Sequence, residues 1–169
     1  MNTSIYLRPL TIADSHVSYH WRNNAEVWKF TNFNLAGSIT QEIEENWLTK
    51  VLKMDDQRRF GICLTENDNY IGNVHLINIK DGSAEFHLVI GDMQYWRRGI
   101  GKEATRIILD YAFFEMCLSE INLAVDFNNH AAFEIYKKQG FVSVREEERH
   151  YIMRLTKEKY LINHPNYVI

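Results

Sequence analysis

The amino-acid sequence predicts a mixed sheet covered by helices, in the α+β or mixed α/β class. Two observations lead there: three consecutive strands separated by hairpin turns, and a later strand–helix–strand crossover of the kind that joins parallel neighbours. Ile5 to Leu10 reads as the first strand, ending at Pro9. Thr11 or Asp14 then caps a helix carrying Val17, His20 and Trp21 at helical spacing. Phe30 to Gly37 is a loop. Ser38 or Thr40 opens a second helix, with glutamates at 42, 44 and 45 near the positive end of its dipole. Its apolar stripe is Ile43, Trp47, Leu48, Val51 and Leu52, and it runs to about Met54. The helical period then gives way to alternation. Arg59 to Thr65, Tyr70 to Ile79 and Ala84 to Ile90 are β-branched or aromatic runs, separated by the turn sequences Glu66-Asn67-Asp68-Asn69 and Lys80-Asp81-Gly82-Ser83. After Gly91 a helical stripe returns through Ala104, Ile107, Ile108, Tyr111, Ala112 and Glu115, followed by a strand from Ile121 to Phe127. Asn128 or Asn129 caps a further helix to about Gln139, Gly140 supplies its left-handed exit, and Phe141 begins a final hairpin. A ligand crevice is expected where the parallel neighbours diverge.

Composition narrows the function classes. The chain has 169 residues, 46% of them hydrophobic, enough for one core, and residues 1–169 are expected to form one domain. Lys and Arg number 19 against 22 acidic residues, a net charge of -3, which excludes a strongly basic nucleic-acid binder. Cys63 and Cys117 are too few for a disulfide framework and lack metal-ligand spacing, so no metal is expected; both sit in apolar runs and read as buried, inert thiols of a cytoplasmic protein. No window approaches the ~20 apolar residues of a membrane span, so a soluble, unprocessed protein without membrane partners is expected. Edge-strand pairing and helix packing leave monomer and homodimer both open.

One segment carries the chemistry. Tyr95-Trp96-Arg97-Arg98-Gly99-Ile100-Gly101-Lys102 lies between the third meander strand and the long helix. Two glycines one residue apart let successive N–H groups curl into one concavity, and the helix N-terminus behind them adds partial positive charge. That is a pyrophosphate cradle, which Arg97, Arg98 and Lys102 would reinforce with formal charge. Alone, such a turn is weak evidence, because many strand-to-helix turns use glycine without binding anything.

Some thirty residues on comes Asn129-His130-Ala131-Ala132-Phe133-Glu134-Ile135-Tyr136-Lys137-Lys138-Gln139-Gly140-Phe141. The pairing of Arg-Arg-Gly-Ile-Gly with Asn-x-x-Ala-x-x-x-Tyr-x-x-x-Gly-Phe, in that order, resembles the two acetyl-CoA-binding motifs of the GNAT superfamily of N-acetyltransferases, over residues 5 to about 156. The nearest likeness is to the branch of ribosomal-protein N-terminal and spermidine acetyltransferases. The resemblance implies a mostly antiparallel sheet of six to seven strands flanked by helices on both faces. It also implies direct transfer from acetyl-CoA to a primary amine in a ternary complex. One departure stands out: where the superfamily commonly places Gln or Arg, three residues before the first glycine, this chain has Trp96.

Site residues follow from the resemblance together with the chemistry of amide formation, which needs an oriented thioester, a deprotonated amine, donors to an oxyanion and an acid for the leaving thiolate. Gly99, Ile100, Gly101, Lys102, Arg97 and Arg98 would hold the pyrophosphate, and Leu88, Val89 and Ile90 the pantetheine arm. Asn129 matches a cofactor-contacting asparagine and is also a plain helix cap. Tyr136 matches the general acid, its competing reading being a packed ring. Glu85 interrupts an otherwise apolar strand and is the candidate base through an ordered water, with His87 as its rival. Phe30, Phe33 and Tyr151 are wall candidates on the acceptor side, and Trp21 reads as packing. The wall from Trp21 to Gly37 holds Glu26 against Arg22 and Lys29, nearly neutral. That suits an amino-sugar or peptide N-terminus over a polyamine. A non-catalytic acyl-CoA-binding module is the rival outside enzymes.

Overall fold

The computed structural model describes residues 3–31 and 37–165. Its strands are β1 (Ile5–Pro9), β2 (Arg58–Leu64), β3 (Tyr70–Lys80), β4 (Ser83–Ile90), β5 (Glu120–Asp126), β6 (Val142–Glu147) and β7 (His150–Thr156), in one sheet ordered β1-β2-β3-β4-β5-β7-β6. Hairpin turns reverse the chain between β2, β3 and β4, and between β6 and β7, so those pairs are antiparallel. The β4-to-β5 connection instead travels through helix α4 (Ile100–Asp110), and that pair is parallel. The mixed sheet covered by helices is the class that the hydrophobic periodicity predicts, and its seven mostly antiparallel strands are what the family resemblance implies.

Strand alternation assigns the helices to faces. Phe86 and Leu88 of β4 turn toward α4 and α5 (His130–Gln139), where Phe86, Ile100, Ala104, Ile108 and Tyr136 share one core. His87 and Gly91 turn the other way, toward α1 (Ser15–Arg22), α2 (Ala25–Trp28) and α3 (Gln41–Val51). Gly91 has no alternative here: a Cβ would stand 2.0 Å from the Trp21 indole packed on it. The first turn is locked by Asp14, whose buried carboxylate accepts both Arg8 Nη groups (2.9 and 2.6 Å) and the Thr11 N–H (2.7 Å), tying β1 to α1.

Several local expectations are corrected. The second long helix stops at Val51 rather than Met54, and the four-residue α2, a single turn, is too short to show a helical period in the sequence. The long helix loosens at its end into a π-turn, Tyr111–Glu115, closed by Met116 N–H on the Tyr111 carbonyl. A C-terminal helix, α6 (Lys157–Asn163), was missed; Thr156 caps it by accepting from Lys159 N–H, and Tyr160 is fully buried. Cys63 is buried as expected, and burial pushes its thiol pKa up. Cys117 is not buried: it occupies a left-handed turn (φ 56°) after the π-turn and is exposed, because a chain reversal, unlike a strand, directs its side chain outward.

Candidate active site

The pairing between β4 and β5 covers only Ser83, Ala84 and Glu85 opposite Glu120, Ile121 and Asn122. Beyond Glu85 the strands part. The gap opens a cavity of about 290 Å³ reached from both faces of the sheet. From one face come Leu88, Ala132 and Tyr136; from the other come Trp21, Arg22 and Trp28 of the first helices, Glu44 and Trp47 of α3, and a row of polar side chains on the strands. That row is Arg59 on β2, His75 on β3 and His87 on β4, each directly opposite the next in register.

Electrostatics differ along the row. Burial, helped by the positive Arg59, drives the His75 pKa down to about 3, so this imidazole is neutral at physiological pH. Burial also lowers the pKa of His87, opposed in part by Glu85, whose Oε2 stands 3.7 Å from His87 Nε2. Burial raises the Tyr136 phenol well above its ordinary value, which keeps the proton on Oη. Glu44, 2% exposed, accepts from Ser18 Oγ at 2.8 Å and faces Arg22 Nε at 3.8 Å. Arg22 stacks on Trp28 and Trp47, and Arg59 on the same Trp47, centroid distances 5.5, 4.9 and 5.1 Å.

The two-glycine turn stands beside this gap. Gly99 has φ 81°, a left-handed conformation suited to glycine, and caps α4. Arg97, Arg98, Gly99 and Lys102 are exposed, whereas the Ile100 side chain is 1% exposed and roots the turn in the core. Ile100 can therefore offer a ligand only its main chain. Gly101 has more room than Gly91: a Cβ there would make ordinary 3.5 Å contacts with Ile135 and Leu88. The structure gives Trp96 a job that the departure from the superfamily pattern left open. Its indole N–H donates to the Ile90 carbonyl at 2.8 Å, pinning the cradle loop to the end of β4.

The structure thus brings His87, Leu88, Val89, Asn129, Tyr136 and Phe30 to one cavity. Asn129 also caps α5, accepting from Ala132 N–H at 3.2 Å. Glu85 does not line that cavity; it lies in an adjoining cleft with Asn122, Arg145 and Arg154, which His87 also borders. Tyr151 stacks instead on Phe127 and Phe133 at 4.5 and 5.0 Å. Phe33 lies outside the described residues. Trp21 packs, at 8% exposure, and also forms cavity wall. Glu26 and Lys29 pair with each other at 2.9 Å, away from the cavity lining. Sequence reading missed Arg59, His75, Glu44 and Trp47. The available signal was the placement of His75 and His87 between apolar neighbours on successive strands; Arg59, which follows Gln57 and Arg58, carried none.

Comparison with known proteins gives concordant results. A family model described as an acetyltransferase (GNAT) domain matches residues 4–142. A probable N-acetyltransferase of Bacillus subtilis is 28% identical over 145 residues, 82% of this chain and 80% of that protein. The spermidine N(1)-acetyltransferase of Escherichia coli K12 is 31% identical over 148 residues, 87% of this chain and 77% of that protein. Among solved structures, the spermidine N-acetyltransferase of Vibrio cholerae in complex with CoA and spermine superposes with a TM-score of 0.82 at 25% identity, covering 93% of this chain and 98% of that one.

Proposed function

The chain belongs to the GNAT acetyltransferase family, and from that premise we propose that it transfers the acetyl group of acetyl-CoA directly to a primary amine held in the cavity between β4 and β5. The observation that carries this reading is that Tyr136, His87 and the parted edge of β4 line one cavity. Acetyl-CoA supplies the activated acyl carbon. The left-handed Gly99, the first-turn amides of α4 and the exposed Arg97, Arg98 and Lys102 fit a pyrophosphate, with no side chain filling the turn at Gly99 or Gly101. Main-chain groups of Leu88 and Val89, unpaired by β5, remain to orient the pantetheine arm; the Ile90 carbonyl is engaged by Trp96. His87, neutral because burial lowers its pKa, accepts the proton that the attacking amine loses. Glu85 acts through His87 rather than on the amine, since it sits in the next cleft. Tyr136 Oη gives its proton to the departing thiolate as the carbon–sulfur bond breaks.

Rings of Trp21, Trp28, Phe30 and Trp47 suit an acceptor with one amine beside apolar and hydrogen-bonding surface, such as an amino-sugar or a peptide N-terminus. A polyamine is the second reading, favoured by the likeness to spermidine acetyltransferases. Against it, the carboxylates that line the cavity are already engaged, Glu44 with Arg22 and Ser18, Asp126 with Arg149 at 2.8 Å. Thiol release from acetyl-CoA across a panel of amines tests the proposal. Turnover is expected with amino-sugar or peptide amines ahead of spermidine, and Tyr136→Phe should lower kcat about 10²-fold with CoA affinity nearly constant. A tenfold preference for spermidine would overturn the acceptor ranking. CoA binding without thiol release for any amine would make the protein a binding module.

A further inference from the structure

Charge accounting inside the cavity leaves one cation over. Arg22 faces Glu44, and Asp126 is held by Arg149 and by the Asn128 N–H at 2.9 Å. Arg59 differs. Its Nε donates to Gln57 Oε1 at 2.7 Å, but its Nη groups have no acceptor, and no carboxylate stands within 4.0 Å of them, among the described residues. Asp56 attracts it only from further away. The guanidinium is nevertheless held in place, stacked on Trp47, with its donors on the cavity wall. A half-buried guanidinium with a fixed plane, whose two Nη groups meet no protein acceptor among the described residues, is suited to bidentate recognition of an oxyanion.

Building on the acetyltransferase reading of this cavity, we propose that the acceptor carries a carboxylate or phosphate besides its amine, and that Arg59 binds that anion while His87 faces the amine. The strand register sets the spacing. Arg59 and His87 lie two strands apart on one face of the sheet, about 10 Å between main chains, with a hydrogen bond of about 3 Å consumed at each end. Amine and anion are therefore separated by roughly 4–10 Å, which fits an ω-amino acid or an amino-sugar phosphate and excludes a simple α-amino acid, whose two groups are closer. His75, between them, is neutral and opposes neither charge. A polyamine would bring a second ammonium group against Arg59, an unfavourable like-charge contact.

Matched pairs of acceptors test this: glucosamine 6-phosphate against glucosamine, and 6-aminohexanoate against 6-aminohexanamide, with spermidine as the cationic comparison. The anionic member of at least one pair should show a kcat/KM at least tenfold higher, carried by KM, and the pair that responds tells phosphate from carboxylate. Arg59→Met keeps the stem on Trp47 without the charge, and should reduce the anionic acceptor at least tenfold more than its neutral partner. Arg59→Lys should restore part of that difference. Calorimetry on CoA-saturated protein reads the same preference as binding, independent of turnover. Equal or better use of the neutral members or spermidine, with Arg59→Met affecting both members alike, would overturn the anion site and leave the acetyltransferase reading standing. Absence of thiol release with every amine, alongside an intact binding preference for the anionic members, would overturn the acetyltransferase reading and leave the anion site.

Discussion

His87 stands where β4 leaves β5, half exposed to the cavity and half packed among strand neighbours, and that position controls its charge. Because burial lowers its pKa below the ordinary value near 6.5, the imidazole is neutral at pH 7 and becomes protonated, hence unable to act as a base, only as pH falls further. kcat should therefore climb with pH through a limb below about 6.5 and then flatten. Glu85 raises that pKa, so Glu85→Gln should move the limb to lower pH, whereas His87→Gln should abolish it and cost about 10²-fold in kcat. A limb that survives His87→Gln and disappears in Glu85→Gln would return the base to Glu85. Neither outcome is written in Ser83-Ala84-Glu85-Phe86-His87: alternation places both polar residues on one face, but the end of the β5 pairing decides which of them reaches the cavity.

Helix α4 shows how much an element's start depends on single backbone angles. Gly99 adopts φ 81° and Gly101 sits inside the first turn with ordinary space around it, so the two glycines, alike in the motif, carry different loads. Gly99→Ala forces a side chain into the left-handed region at about 1–2 kcal/mol and should weaken CoA binding about tenfold, measured by calorimetry on folded protein. Gly101→Ala should leave the melting temperature unchanged or slightly raised, since alanine is the better helix residue and its methyl group meets Ile135 and Leu88 at contact distance. Equal loss of affinity in both variants would mean that the motif works through chain flexibility rather than through the Gly99 conformation. The two-glycine turn was legible in sequence because glycine spacing ahead of a helix is a local signal. Its anchoring by Trp96 on the Ile90 carbonyl was not, because that bond closes a loop between two elements.

At the scale of the whole molecule, the face of the sheet that carries α4 is closed at the chain's far end by α6. Tyr160 is fully buried against Phe113 and donates to Asp110 Oδ1 at 2.8 Å, so the last helix braces the π-turn where α4 ends. Tyr160→Ala should cost about 3–5 kcal/mol in urea unfolding, and Tyr160→Phe only the charged hydrogen bond, about 1.5–3 kcal/mol. Wild-type stability in Tyr160→Ala would make α6 an appendage. The amino-acid sequence by itself determined the order of the strands and longer helices from Ile5 to Gln139, the parallel crossover, and the positions of the two-glycine turn and the Tyr136 motif, because each is a local pattern of period, turn chemistry or spacing. Only the tertiary structure decided that Arg59, His75 and His87 form one polar row, that Glu44 and Trp47 of α3 face it, and that Glu85 falls into the neighbouring cleft. Those groups are far apart in the chain, and what brings them together is strand register and the early parting of β4 from β5, quantities set by the packing of the whole core and not by any segment's own preference.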